Sequence, residues 1–157
     1  MTTYSFDFTY AYGKPDATAA IRSTPEDFKV EETIRFEPTG EGQHVYLYIQ
    51  KRNTNTEWLA KELARFAGIK SMDVGYAGLK DRHAVTKQGF SIDLAGKPEP
   101  DWQSFNNEDI TVEIVTRSTG KLKRTAVKSN RFTLTLRELE GDITELESRL
   151  QKIKSQG

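Results

Sequence analysis

Residues 44–51 place Val45, Leu47 and Ile49 at every second position, with Tyr46 and Tyr48 between them. A period of two is the signature of a strand with one face in a core. A few residues later the period changes. From a cap at Thr54 or Asn55 to about Ala67, the residues Trp58, Leu59, Leu63 and Phe66 form a helical apolar stripe, and Gly68 stops it. A strand passed so directly to an amphipathic helix commits the chain to a mixed architecture. The remaining segments agree. Residues 28–36 alternate loosely with Phe28 and Val30 inward, and the preceding Ser23-Thr24-Pro25 reads as a cap and one short helical turn. Short strands are expected over 74–77, 88–94 and 110–115, and a longer one over 131–139 with Phe132, Leu134 and Leu136 on one face. Gly141 or Asp142 opens a last helix, in which Ile143, Leu146, Leu150 and Ile153 recur, running to Gly157. Many connections are short enough for hairpins, so the fold class is α+β, a mixed, largely antiparallel sheet with flanking helices.

The 157 residues amount to one domain. The absence of cysteine excludes disulfides, thiolate catalysis and cysteine-based zinc sites, and His44 and His83 alone offer imidazole. No metal site is expected. No apolar run is long enough for a membrane span and the start is not that of a secretory signal, so an intracellular location is the default. The formal net charge is zero but unevenly spread. Residues 117–131 carry Arg117, Lys121, Lys123, Arg124, Lys128 and Arg131 with no acid among them, and five acids follow over 138–147. Such a run could track a phosphate backbone, or could simply solvate a strand edge.

Chemistry concentrates in residues 75–88, GYAGLKDRHAVTKQ. Gly75 and Gly78 relax the backbone just ahead of Lys80-Asp81-Arg82, so the loop can present a carboxylate at a corner. Asp81 lies between two cations, which favour its ionised form, and an ionised aspartate can act as a nucleophile toward a sugar or base. The spacing is not that of a P-loop. It does match the G-x-x-G of a KH domain, but the segment before it is too short and strand-like for the helix that motif requires. A solvated turn is the plainer alternative. Aromatics beside polar or basic residues, Phe28 and Asn130-Arg131-Phe132, could stack on a base drawn out of an RNA, or could be core.

The same residues resemble the TruD family of tRNA pseudouridine synthases. The central motif GYAGLKDRHAVTKQ is joined, in the family's order, by PEDFKVEE at 25–32, GEGQHVYLYIQK at 40–51, Asn55-Thr56, KLKR at 121–124 and NRFTLTLRE at 130–138. The resemblance implies isomerisation of uridine to pseudouridine in tRNA, at uridine 13 for the bacterial branch, in the cytoplasm and with no metal or organic cofactor. It implies that Asp81 is the catalytic aspartate and that Arg22 pairs with it. Phe28 and Asn130 would contact the target nucleotide, and Phe132 would stack on the flipped uracil. Lys80, Lys121, Lys123 and Arg124 would meet RNA phosphates. It departs from the pattern at Ala126 and Ser129, where glycines are usual.

Family members run longer, so the expectation is an N-terminal portion of the catalytic domain over 1–157, without the insertion domain and the C-terminal half. By itself such a portion would be a poor enzyme, prone to self-association through uncovered surface. The rival reading is a truncated RNA-binding module without turnover, and a third is a purely structural domain.

Overall fold

Val45, Leu47 and Ile49 are completely buried, and the strand that carries them runs one residue further than the alternation suggests. The computed structural model describes residues 9–94 and 96–156, and its elements in chain order are eight strands and two helices. They are β1 (Thr18–Ala20), β2 (Phe28–Ile34), β3 (His44–Arg52), α1 (Thr56–Phe66), β4 (Val74–Tyr76), β5 (Val85–Asp93), β6 (Ile110–Ser118), β7 (Val127–Leu134), β8 (Arg137–Glu140) and α2 (Ile143–Gln156). No helix among the described residues is long and apolar enough to cross a membrane. The elements fall into two units: a larger one over Ile21–Thr135, and a smaller one built from described residues before and after it.

The larger unit is a sheet of order β6-β3-β5-β2-β7 with β4 also paired to β5. All its ladders are antiparallel except β2 with β5, where Lys29, Val30 and Glu31 stand opposite Val85, Thr86 and Lys87. One edge of β5 is thus shared, by β2 at its start and by β4 at its end. α1 covers one face of the β3, β5 and β6 region. Asn55 caps it by accepting the Glu57 and Trp58 N–H groups, at 2.8 and 3.2 Å.

The helix buries Leu59 and Leu63 of the expected stripe but not its two aromatic members. Thr56, Leu59, Ala60, Leu63 and Ala64 face the sheet, whereas Trp58 is 50% exposed and Phe66 38%. Small alanines let the helix axis approach the strands closely. A stripe ordered by residue size alone misses them.

Three further expectations are corrected. The strand expected over 88–94 starts at Val85, so the end of the glycine motif is already sheet. The strand expected over 131–139 is two, β7 and β8. β7 pairs with β2 only as far as Leu134 opposite Phe28, because β2 is preceded by the 3₁₀ turn Pro25–Asp27, and the next N–H, of Thr135, goes to the Asp27 carbonyl at 2.8 Å. Leu136 therefore does not extend the face of Phe132 and Leu134. Gly75 lies inside β4, as the strand expected over 74–77 has it, but its role is not the expected one of easing a ligand's approach. A Cβ there would come within 2.8 Å of Ser91 Oγ, Lys121 Cγ and the Leu122 carbonyl. Close packing of the chain that crosses from β6 to β7 requires this glycine.

In the smaller unit β1 pairs antiparallel with β8, Thr18 opposite Glu140. Arg149 of α2 donates to the carbonyls of Tyr12 and Gly13 and to Glu145. Ile143, Leu150 and Ile153 of that helix are 43–54% exposed. The end of the helix expected at Gly157 lies outside the described residues.

Candidate active site

Asp81 sits on the connection from β4 to β5, and buried side chains hold that connection from beneath. Thr56, the first residue of α1, accepts the Lys80 N–H at 3.1 Å and donates its hydroxyl to Gln88 Oε1 at 2.9 Å. Gln88 in turn donates to the Gly78 carbonyl at 3.0 Å. Lys51 is fully buried, and its ammonium donates to the Thr54 carbonyl at 2.6 Å and to the Asp81 carbonyl at 3.2 Å. Burial pushes this lysine down to about 8, the nearby Lys80 charge adds to the shift, and Asp81 opposes it.

Lys80 and Glu32 form the second support. Their charged atoms lie 2.5 Å apart with side chains 6% and 0% exposed. The other Glu32 oxygen accepts the Gly89 N–H at 3.1 Å. It takes the place of a backbone carbonyl where the β2–β5 ladder ends. The main chain around Asp81 is thereby fixed by two lysines, a carboxylate, a threonine and a glutamine.

Above this base the Asp81 carboxylate faces solvent. Its Oδ1 is 3.5 Å from Arg22 Nη2, and both side chains are 44% exposed. An ion pair this open contributes roughly 0–1 kcal/mol to stability, so its consequence is direction. Arg22 has a φ of +58°, a left-handed backbone that few non-glycine residues adopt. Its guanidinium lies 3.9 Å from the centre of the Phe28 ring. Phe28 stacks with Phe132, centroids 6.0 Å apart and planes inclined by 22°. Phe28 is buried at 5% and Phe132 open at 55%, so the outer ring is free to receive a flat group. Asn130, opposite Glu32 in the β2–β7 ladder, is exposed two positions along from Phe132.

Asp81, Arg22, Phe28 and Phe132 are thus brought together, with Asn130 on the same strand. Lys80 is not available to a phosphate: its side chain is buried against Glu32. The basic run is not one surface. Arg117, on edge strand β6, is paired with Glu99, while Lys128 and Arg131 lie on β7 at the opposite edge. Lys121 donates to the Met72 carbonyl. Lys123 is exposed, and the side chain of Arg124 lies outside the described residues. Among the described residues, no group of three or more His, Cys, Asp or Glu is placed to hold a metal ion.

Glu32, Lys51, Thr56 and Gln88 escaped the sequence reading, although a signal for two of them was present. Glu32 continues the inward series Phe28, Val30, and Lys51 continues Val45, Leu47, Ile49. A charged residue at an inward position needs a buried partner.

The fold that carries these residues is shared with a known protein. The fold superposes on the crystal structure of a putative tRNA pseudouridine synthase D from Methanosarcina mazei with a TM-score of 0.74 and 28% identity, covering 87% of this chain and 32% of that one. The pattern of the family described as tRNA pseudouridine synthase D (TruD) matches residues 7–157. The chain belongs to this TruD family. It is 51% identical over 151 residues to tRNA pseudouridine synthase D of Methylococcus capsulatus, covering 96% of this chain and 43% of the relative. It is 53% identical over 151 residues to that of Nitrosococcus oceani, covering 94% and 42%. The chain therefore spans less than half the length of these relatives.

Proposed function

We propose that this chain carries the catalytic aspartate and one wall of the uridine site of a tRNA pseudouridine synthase acting at uridine 13. The observation that carries the reading is the Asp81–Arg22 pair beside the Phe28–Phe132 stack. In the reaction the N1–C1′ bond of uridine breaks, the uracil turns, and a C5–C1′ bond forms. C5 loses a proton and N1 gains one, so composition is unchanged and no oxidant is needed. Asp81 attacks the nucleotide or otherwise promotes glycosidic cleavage, and Arg22 holds its carboxylate in direction. A base must leave the stack to react, which costs a few kcal/mol, and the open face of Phe132 with the Asn130 amide offsets that cost. Lys123 and Arg124, with Lys128 and Arg131, provide contacts to phosphates.

In a protein of full family length carrying this segment, Asp81→Asn is expected to abolish pseudouridine at uridine 13 while leaving tRNA affinity within a few-fold. The amide keeps size and hydrogen bonding and removes the nucleophilic charge. Near-normal turnover by chemical mapping of pseudouridine would remove Asp81 from the mechanism. The open Phe132 face favours a second reading for the 157-residue chain assayed alone, binding of tRNA with little turnover.

A further inference from the structure

Trp58 was expected in the core and instead stands half exposed on the flank of α1. It lines a cleft of about 320 Å³ together with Asn53, Thr54, Asn55 and Arg82. This volume lies at the lower end of the range of roughly 300–1,000 Å³ typical of small-ligand sites. Thr54 of this lining and Asp81 both offer their carbonyls to the Lys51 ammonium, at 2.6 and 3.2 Å, so the cleft lies next to the backbone of Asp81.

Its lining is chemically incomplete. Asn53 has a left-handed φ of +46° and donates its N–H to the Ala84 carbonyl at 3.0 Å, yet its amide side chain has no partner among the described residues. The same holds there for the Trp58 indole N–H and the Arg82 guanidinium. Asn55 uses its oxygen to cap α1, which leaves its NH₂ for another acceptor. An exposed indole face offers a stacking surface to any base, amide groups match the donor–acceptor edge of a base, and a guanidinium meets a phosphate.

Building on the proposed function, we propose that this cleft is a second nucleotide subsite, which takes the base of the RNA residue next to the target uridine. Trp58 stacks on that base, Asn53 and Asn55 read its edge, and Arg82 holds the phosphate between it and the uridine. With the target base on Phe132 and its neighbour on Trp58, the RNA strand is gripped on both sides of the bond that must break. The two grips keep the ribose in place while its base is detached.

Trp58 and Trp102 are the two tryptophans of the chain, and Trp102 is 3% exposed, so Trp58 is the solvent-facing reporter. An unmodified tRNA transcript is expected to quench its fluorescence. The same transcript with abasic nucleotides on either side of uridine 13 is expected to bind without quenching. Trp58→Ala should weaken transcript binding by about 5- to 150-fold, and Trp58→Phe should restore most of it. Equal quenching by the abasic transcript, or no quenching while filter binding shows the transcript bound, overturns the subsite alone. A transcript that does not bind at all overturns the tRNA reading and the subsite with it.

Discussion

Lys51 is fully buried but retains a titratable charge, and this gives the fold a pH signature. Its ammonium titrates near 8 in the folded chain, against 10.5 for a free lysine. Between those values the unfolded chain holds more protons than the folded one, so stability rises with pH from about 8. Tyr48 works in the opposite sense. Burial raises its phenol to about 12, and Tyr46 is raised for the same first reason, so above pH 10 the unfolded chain ionises first and stability falls. Denaturant unfolding followed against pH should therefore show a maximum around pH 10. Lys51→Met should erase the rise below it and keep the fall above it. A rise unchanged in Lys51→Met would place its cause elsewhere. Residue identity made part of this legible: the Val45, Leu47, Ile49 series points Lys51 inward. Which carbonyls receive it depends on where residues 54 and 81 end up, and no local pattern states that.

At the level of elements, the parallel β2–β5 ladder is what delivers Glu32 to Lys80. Removing one member of a buried ion pair leaves an uncompensated charge, at a cost of about 3–5 kcal/mol. Glu32→Ala also strips the acceptor from the Gly89 N–H. A large drop in unfolding free energy is expected for Glu32→Ala, with much of it recovered when Lys80→Met is added. Additive losses in that double-mutant cycle would show that the two side chains do not interact. β3, β6 and the start of α1 were readable from their periods, because each is set by neighbours in sequence. The division of residues 131–139 into β7 and β8 was not. It follows from where β2 begins, a hundred residues earlier in the chain.

Taken whole, the larger unit leaves apolar surface open at both sheet edges. Phe132 and Leu134 on β7 are 55% and 48% exposed, and Ile114 and Val115 on β6 are 48% and 39% exposed. Edge strands with apolar side chains are templates for pairing between chains. The 157-residue chain is expected to associate in a concentration-dependent way by light scattering, and Phe132→Lys to reduce that association. A monodisperse monomer at millimolar concentration would refute the expectation.

The sequence by itself determined the α+β class, β3, the start and end of α1, and the motif that marks the family. Each of these rests on short-range periodicity or on a contiguous string of residues. Only the tertiary structure decided that Gly75 serves packing, that Lys80 turns inward to Glu32 while Asp81 turns outward to Arg22, and that the cations of residues 117–131 part to opposite sheet edges. Those outcomes depend on strand order, because β5 lies between β3 and β2. Residues far apart in the chain become partners there, and adjacent side chains are sent to opposite sides.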